Sequence, residues 1–113
     1  MGLPGIERAH IPPEKIRDYL LADFHPVGSA KAAVFRSLGY AREDWQRLET
    51  DIRALAASAV LIGTSVSPMG QKFVVSGTLT GPSGSSRRVR TVWIVLVGDD
   101  FPCFVTAFPE IQR

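Results

Sequence analysis

Apolar residues follow two rhythms along this chain, and the change between them comes near residue 58. Before it they recur at helical spacing; after it they alternate, among β-branched residues and Gly/Pro turns. Residues 1–12 read as an extended lead-in, because Pro4, Pro12 and Pro13 block regular structure. Ile16, Tyr19 and Leu20, at i, i+3 and i+4, then predict a helix over 13–22, with Pro13 in its first turn and Glu14 at its positive end. The run Asp-Phe-His-Pro-Val-Gly breaks that pattern. Ser29 is placed to cap a second short helix over 30–38, which Gly39 ends. A third helix, 43–57, carries Trp45, Leu48, Ile52, Leu55 and Ala56 on one stripe and mostly charged residues elsewhere. A helix lying on a sheet has this pattern.

Four strands follow, over 60–66, 71–80, 87–97 and 101–108. Their connections, Ser-Pro-Met-Gly, Gly-Pro-Ser-Gly-Ser-Ser and Gly-Asp-Asp, are short turns, which favours sequential antiparallel pairing. Phe73, Val75 and Leu79 alternate with polar positions such as Lys72 and Thr78, so one face of the sheet should be wet. Residues 92–97 are apolar on both sides, which makes the third strand central. The expected fold is α+β: N-terminal helices over 13–57 packed on one face of a four-stranded antiparallel sheet over 58–109, all in a single domain, 1–113. Trp45, Leu48, Ile52 and Leu55 should be buried against that sheet.

Apolar residues make up 45% and charged residues 21% of the chain, which excludes a disordered or collagen-like polymer. The single cysteine, Cys103, rules out an internal disulfide and a Cys-rich zinc site, and fits a reducing compartment. No apolar run approaches the roughly 20 residues needed to span a bilayer. The N-terminus has neither the basic start nor the apolar stretch of a signal peptide, so a cytoplasmic protein without a membrane partner is expected. Net charge is only +2, but it is unevenly placed: residues 1–57 balance, and Arg87, Arg88 and Arg90 crowd into four positions of the second half.

Two stretches carry candidate chemistry. In FHPVGSAKAAVFRSLGY, residues 24–40, His25 precedes a helix whose first turn holds Ser29 and Lys31. A cation beside the free N–H groups of a helix N-terminus is locally unfavourable, and together they suit an anion such as phosphate. His25 stands close enough in sequence to add a proton donor or acceptor. Its bland counterpart is a solvated lysine and a turn shaped by His25 and Pro26. In SSRRVRTVWIVL, residues 85–96, alternation places Arg88 and Arg90 on one strand face and Arg87, Val89, Thr91 and Trp93 on the other. Two arginines on one face can grip a phosphodiester bidentately, or simply solvate a strand end and discourage edge pairing. Arg90 leads, because it lies deeper, where an unpaired charge is expensive. Thr106 can present a hydroxyl from the last strand. Trp45 and Trp93 read as core, His10 as part of the lead-in, and Asp99 and Asp100 as turn residues. No metal site, dinucleotide fingerprint or P-loop is present, and no cofactor is expected.

The motif L-x(4)-HP-x-G-x(2)-K-x(3)-F-x(2)-LG, Leu20 to Gly39, resembles the first half of an uncharacterised bacterial domain family. G-x-L-T-G-P-x-G-x(4)-V-R-T-V-W-I-V, Gly77 to Val95, and V-T-A-F-P, Val105 to Pro109, resemble its second half. More loosely, helices followed by a four-stranded meander are similar to the barnase/RelE-like ribonucleases of toxin–antitoxin and polymorphic-toxin systems. That resemblance implies a metal-independent endoribonuclease toxin with RNA as substrate and a small antitoxin-like protein as partner. His25 would then act as acid or base, Lys31 and Arg90 would stabilise the phosphorane, Thr106 would position the phosphate, and Arg88 and Ser29 would bind substrate. The chain departs from the best-known members in offering no clear catalytic Glu. The alternative is a noncatalytic module that uses the same basic face to bind a protein or nucleic acid.

Overall fold

The computed structural model describes residues 3, 5–17, 21 and 29–110, and for residues 29–32 only the backbone. A 3₁₀ turn, Ile6–Arg8, opens the lead-in, and three helices follow: α1 (Pro13–Lys15), α2 (Ser29–Ser37) and α3 (Trp45–Ser58). Four strands complete the chain: β1 (Val60–Ser67), β2 (Gly70–Thr80), β3 (Ser86–Leu96) and β4 (Cys103–Pro109). They pair in the order β1-β2-β3-β4, every pair antiparallel. The fold is α+β, and β3 is an inner strand.

Of the expected helix over 13–22, the described residues show the first turns. Pro13 opens it as predicted, but the α-helical part stops at Lys15 and widens at 16–17, where the Leu21 N–H reaches the Ile16 carbonyl at 3.0 Å. That five-residue step is a π turn, and it still buries both Ile16 and Leu21. Tyr19 and Leu20 lie outside the described residues.

Helix α2 ends where Gly39 was expected to end it. Gly39 adopts φ +100°, its N–H donates to the Arg36 carbonyl at 2.9 Å, and the Tyr40 N–H reaches back to the Phe35 carbonyl at 3.3 Å. These two bonds form a Schellman closure, which requires a left-handed residue at that position.

Helix α3 lies across one face of the sheet. Leu48, Ile52, Leu55 and Ala56 are buried at i, i+4, i+7 and i+8. On its outer side Arg47–Asp51 and Arg53–Glu49 form i,i+4 ion pairs of 3.4 and 3.6 Å. Trp45, expected in the core, is only partly buried at the first turn. The approach to β2 is close: a Cβ built on Gly77 would stand 2.9 Å from Leu55 Cγ.

Strand register then sorts the sheet into two faces. Phe73, Val75 and Leu79 of β2, Val89, Thr91 and Trp93 of β3, and Phe104 and Ala107 of β4 are buried beneath the helices. Trp93 meets Phe104 edge to face, with centroids 5.3 Å apart, and its indole N–H donates to Thr91 Oγ1 at 2.8 Å. The one hydroxyl on that buried stretch of β3 is thereby satisfied. The opposite face carries Lys72, Ser76 and Thr78 of β2, Arg88 and Arg90 of β3, and Thr106 and Phe108 of β4.

Candidate functional site

The open face of the sheet gathers charge at one place. Arg90 stands between Ser76 of β2 and Phe108 of β4, and Arg88 lies two residues back along β3, opposite Thr78. Just past the end of β4, the Glu110 N–H donates to the Arg88 carbonyl at 2.9 Å and prolongs the ladder by one residue. That bond turns the Glu110 side chain onto both arginines.

The four side chains close on one another. Glu110 Oε1 accepts from Ser76 Oγ at 2.6 Å and from Arg90 Nε at 3.1 Å, while Oε2 lies 3.6 Å from Arg88 Nε. Ser76 Oγ in turn accepts from an Arg88 terminal nitrogen at 2.9 Å. Each arginine side chain remains 44% exposed, against 22% for Glu110. The Ser76 hydrogen bond, then that of Arg90, then the charges of Arg88 and Arg90 hold the Glu110 carboxyl below its ordinary value against an opposing effect of burial. Glu110 is therefore ionised at neutral pH. A carboxylate this well satisfied is a poor general base and acts as a clamp that fixes the direction of two guanidinium groups. One negative charge against two positive ones leaves the cluster net cationic. A guanidinium carries five N–H donors, so each arginine keeps donors for an outside anion. A shallow cleft of about 320 Å³, lined by Arg90, Phe108, Pro109 and Glu110, opens beside them.

Thr106 lies on this same face. It pairs across from Val92, two positions along from the Arg90–Phe108 pair, so it shares the open face with Arg88 and Arg90. His25 lies outside the described residues. Ser29 and Lys31 occupy the first turn of α2, whose side chains are likewise not described; α2 itself packs against β4, and nothing described brings its first turn to the open face.

Glu110 and Ser76 are the two members of the cluster that reading the sequence did not single out. Glu110 is 20 residues from Arg90 and 34 from Ser76, so no local pattern joins them. The available clue was the demand that Arg90, set inward on its strand, find a counter-charge.

The remaining candidates serve the fold. The His10 backbone bridges to Cys103, and Asp100 pairs with Arg8 at 2.7 Å on the surface. Burial and the charge of Asp99 push the Cys103 thiol up, away from the reactive thiolate. A second cleft, of about 310 Å³, is bordered by Tyr40 and Arg47. Tyr40 donates to Asp51 at 2.6 Å, and its pKa is raised by burial and that carboxylate, so it reads as an anchor between α2 and α3. Among the described residues no three His, Cys, Asp or Glu side chains lie together to hold a metal, and no described helix is long and apolar enough to cross a membrane.

Comparison with known proteins adds a family and a fold relative. A family model described as Domain of unknown function (DUF6883) matches residues 2–111. The chain belongs to the DUF6883 family. No functionally curated protein matches it. Among solved structures, this DUF6883 chain is similar to one from a contact-dependent growth inhibition toxin–immunity protein complex of Klebsiella pneumoniae 342. The two superpose with a TM-score of 0.74 at 14% identity, over 96% of this chain and 98% of the other. Agreement at that identity is agreement of fold.

Proposed function

We propose that this DUF6883 domain is an RNA-cleaving toxin domain of a toxin–immunity pair, with the open face of its sheet as the site. The observation that carries the reading is the Arg88–Arg90 pair, held side by side by Glu110 and Ser76 on an exposed strand face that also bears Thr106. The fold shared with a chain of a growth-inhibition toxin–immunity complex supports the partner setting.

RNA supplies its own nucleophile. The ribose 2′-OH attacks the neighbouring phosphorus, a 2′,3′-cyclic phosphate forms, and the bond to the 5′-oxygen breaks. His25 moves a proton, taking it from the 2′-OH or giving it to the leaving oxygen. Arg90 and Lys31 stabilise the charge of the phosphorane, and Arg88 holds the phosphate bidentately. Thr106 orients the phosphate, and Ser29 adds a contact from the first turn of α2. Glu110 keeps the two guanidinium planes aimed in the absence of substrate. This scheme uses proton transfer and positive charge alone, with no cofactor in any step.

The test is incubation of purified protein with total RNA in EDTA, beside His25→Ala and Arg90→Ala variants checked for folding by circular dichroism. Cleavage by the wild type should fall on the order of 100-fold or more in either variant. Clean, folded wild-type protein that leaves RNA intact would overturn the enzyme. It would favour the noncatalytic module, whose basic face docks on a protein or nucleic acid. Expression of the domain without any partner should slow growth if it is the toxin member.

A further inference from the structure

Three donor groups from two strands converge on one point of the open face, and the Glu110 carboxylate sits there. Its Oε1 accepts from Ser76 Oγ at 2.6 Å and from Arg90 Nε at 3.1 Å. Ser76 of β2 forms the floor at only 2% exposure, while Arg88 and Arg90 of β3 stand nearly half in solvent. A buried hydroxyl beneath two guanidinium groups is a cradle for an oxyanion.

Glu110 fills that cradle only in part. Both short bonds fall on Oε1, whereas Oε2 lies 3.6 Å from Arg88 Nε, beyond hydrogen-bond reach, and accepts no hydrogen bond among the described residues. A planar carboxylate thus leaves the Arg88 side unfilled. A tetrahedral anion has oxygens in the directions that side requires. The attachment of Glu110 is also slight: it follows the last residue of β4, and its N–H holds it to the Arg88 carbonyl at 2.9 Å. The cleft of about 320 Å³ beside it gives the side chain room to turn away.

We propose that Glu110 is an internal stand-in for phosphate, and that a phosphate group of RNA binds by displacing its carboxylate from Ser76, Arg88 and Arg90. Until then the carboxylate keeps the arginines aimed and turns away anions that fit no better than it does. A cradle occupied nine-tenths of the time weakens an outside anion about tenfold. The unfilled Arg88 side selects phosphate over a partner's carboxylate, because a second planar group would leave it unfilled again. This inference deepens the phosphate-binding role proposed for the face and rests on that role, not on cleavage.

Titration with sodium sulfate at constant ionic strength, followed by backbone amide NMR shifts, tests it. Glu110→Ala and Glu110→Gln should each bind sulfate at least about tenfold more tightly than the wild type. Ser76→Ala added to Glu110→Ala should weaken that binding about tenfold, as losing a hydrogen bond to a charged group does. A 2′-deoxy dinucleotide, which cannot be cleaved, should follow the same order. A wild-type crystal grown in sulfate separates displacement from the mere removal of a nearby charge: the anion should rest on Ser76 and both arginines, with Glu110 turned away. Equal affinity in all forms overturns the proposal, as does a failure of every form to bind sulfate or the dinucleotide. So does a bound sulfate that leaves the Glu110 carboxylate on Ser76. A protein that makes the exchange yet leaves RNA intact keeps this inference and loses the nuclease. One that cuts RNA with Glu110 still in place does the reverse.

Discussion

On its covered face β3 sets Val89, Thr91 and Trp93 against the helices, all three without solvent exposure. On its open face the same strand sets Arg88 and Arg90 against Glu110 and Ser76, with nearly half of each arginine in water. Both faces close their polar groups, but to different ends. Under the helices the indole of Trp93 meets the hydroxyl of Thr91 and nothing is left over; among the described residues no buried side-chain polar atom lacks a partner. On the open face the ring through Glu110 holds the arginines while using only part of their N–H donors. One face is finished, and the other stays open to solvent with a net positive charge. A two-residue period lets a single strand serve both purposes without conflict.

Breaking the covered face should produce the largest loss of stability. Trp93→Ala removes the fully buried ring that meets Phe104 and strands the Thr91 hydroxyl, and should cost about 3–5 kcal/mol in urea unfolding. A domain of this size has roughly 5–15 kcal/mol in total, so the variant should be marginal at 25 °C. Gly77→Ala attacks the same interface from the other direction. Its added methyl meets Leu55 Cγ at 2.9 Å and Ala59 Cβ at 3.2 Å, forcing α3 off β2, and should cost about 1–3 kcal/mol. Arg90→Ala, by contrast, should change stability by less than about 1 kcal/mol, as exposed ion pairs do. An Arg90→Ala chain that unfolds as readily as Trp93→Ala would mean that the arginines belong to the scaffold and that the two faces do not divide the labour.

The covered face was also the legible one. Alternation at Phe73, Val75 and Leu79 and the Gly/Pro turns between strands are local signals, and β2 and β3 fall within a residue of where they point. Gly39 as a helix stop was legible for the same reason. The widening of the 13–22 helix at 16–17 was not, because spacing at 16, 19 and 20 does not distinguish an α-helical step from a wider one that buries Ile16 and Leu21 equally well. Trp45 was over-assigned to the core, since a stripe says which face turns inward and not how far the first turn reaches. At the site, Arg88 and Arg90 share a face because of parity along β3, which the sequence displays, whereas Thr106 joins that face through the β3–β4 register, which it does not. Glu110 reaches them through a backbone bond to Arg88 across the sheet, and pairings of that kind are set by tertiary closure.

The smallest expected effect concerns Glu110 and pH. Its folded pKa is depressed, chiefly by the Ser76 hydrogen bond and then by Arg90, relative to the unfolded chain. A depressed carboxylate contributes stability that is fully present above its unfolded value, about 4.3, and is lost as pH falls through the lower folded value. Glu110→Gln keeps a carbonyl for Ser76 and Arg90 but has no charge to titrate. The thermal midpoint of the wild type should therefore exceed that of the variant by a small, constant margin at neutral pH. The margin should shrink through the acidic limb below about pH 4.3 and vanish once Glu110 is protonated in both states. Other carboxylates titrate alike in the two proteins and cancel in the difference. Added salt should reduce the margin at neutral pH, because the pairs are partly exposed and screened. A margin that persists unchanged into strong acid would show that the Glu110 side chain acts through its shape and hydrogen bonds alone. The clamp on Arg88 and Arg90 would then be steric rather than electrostatic.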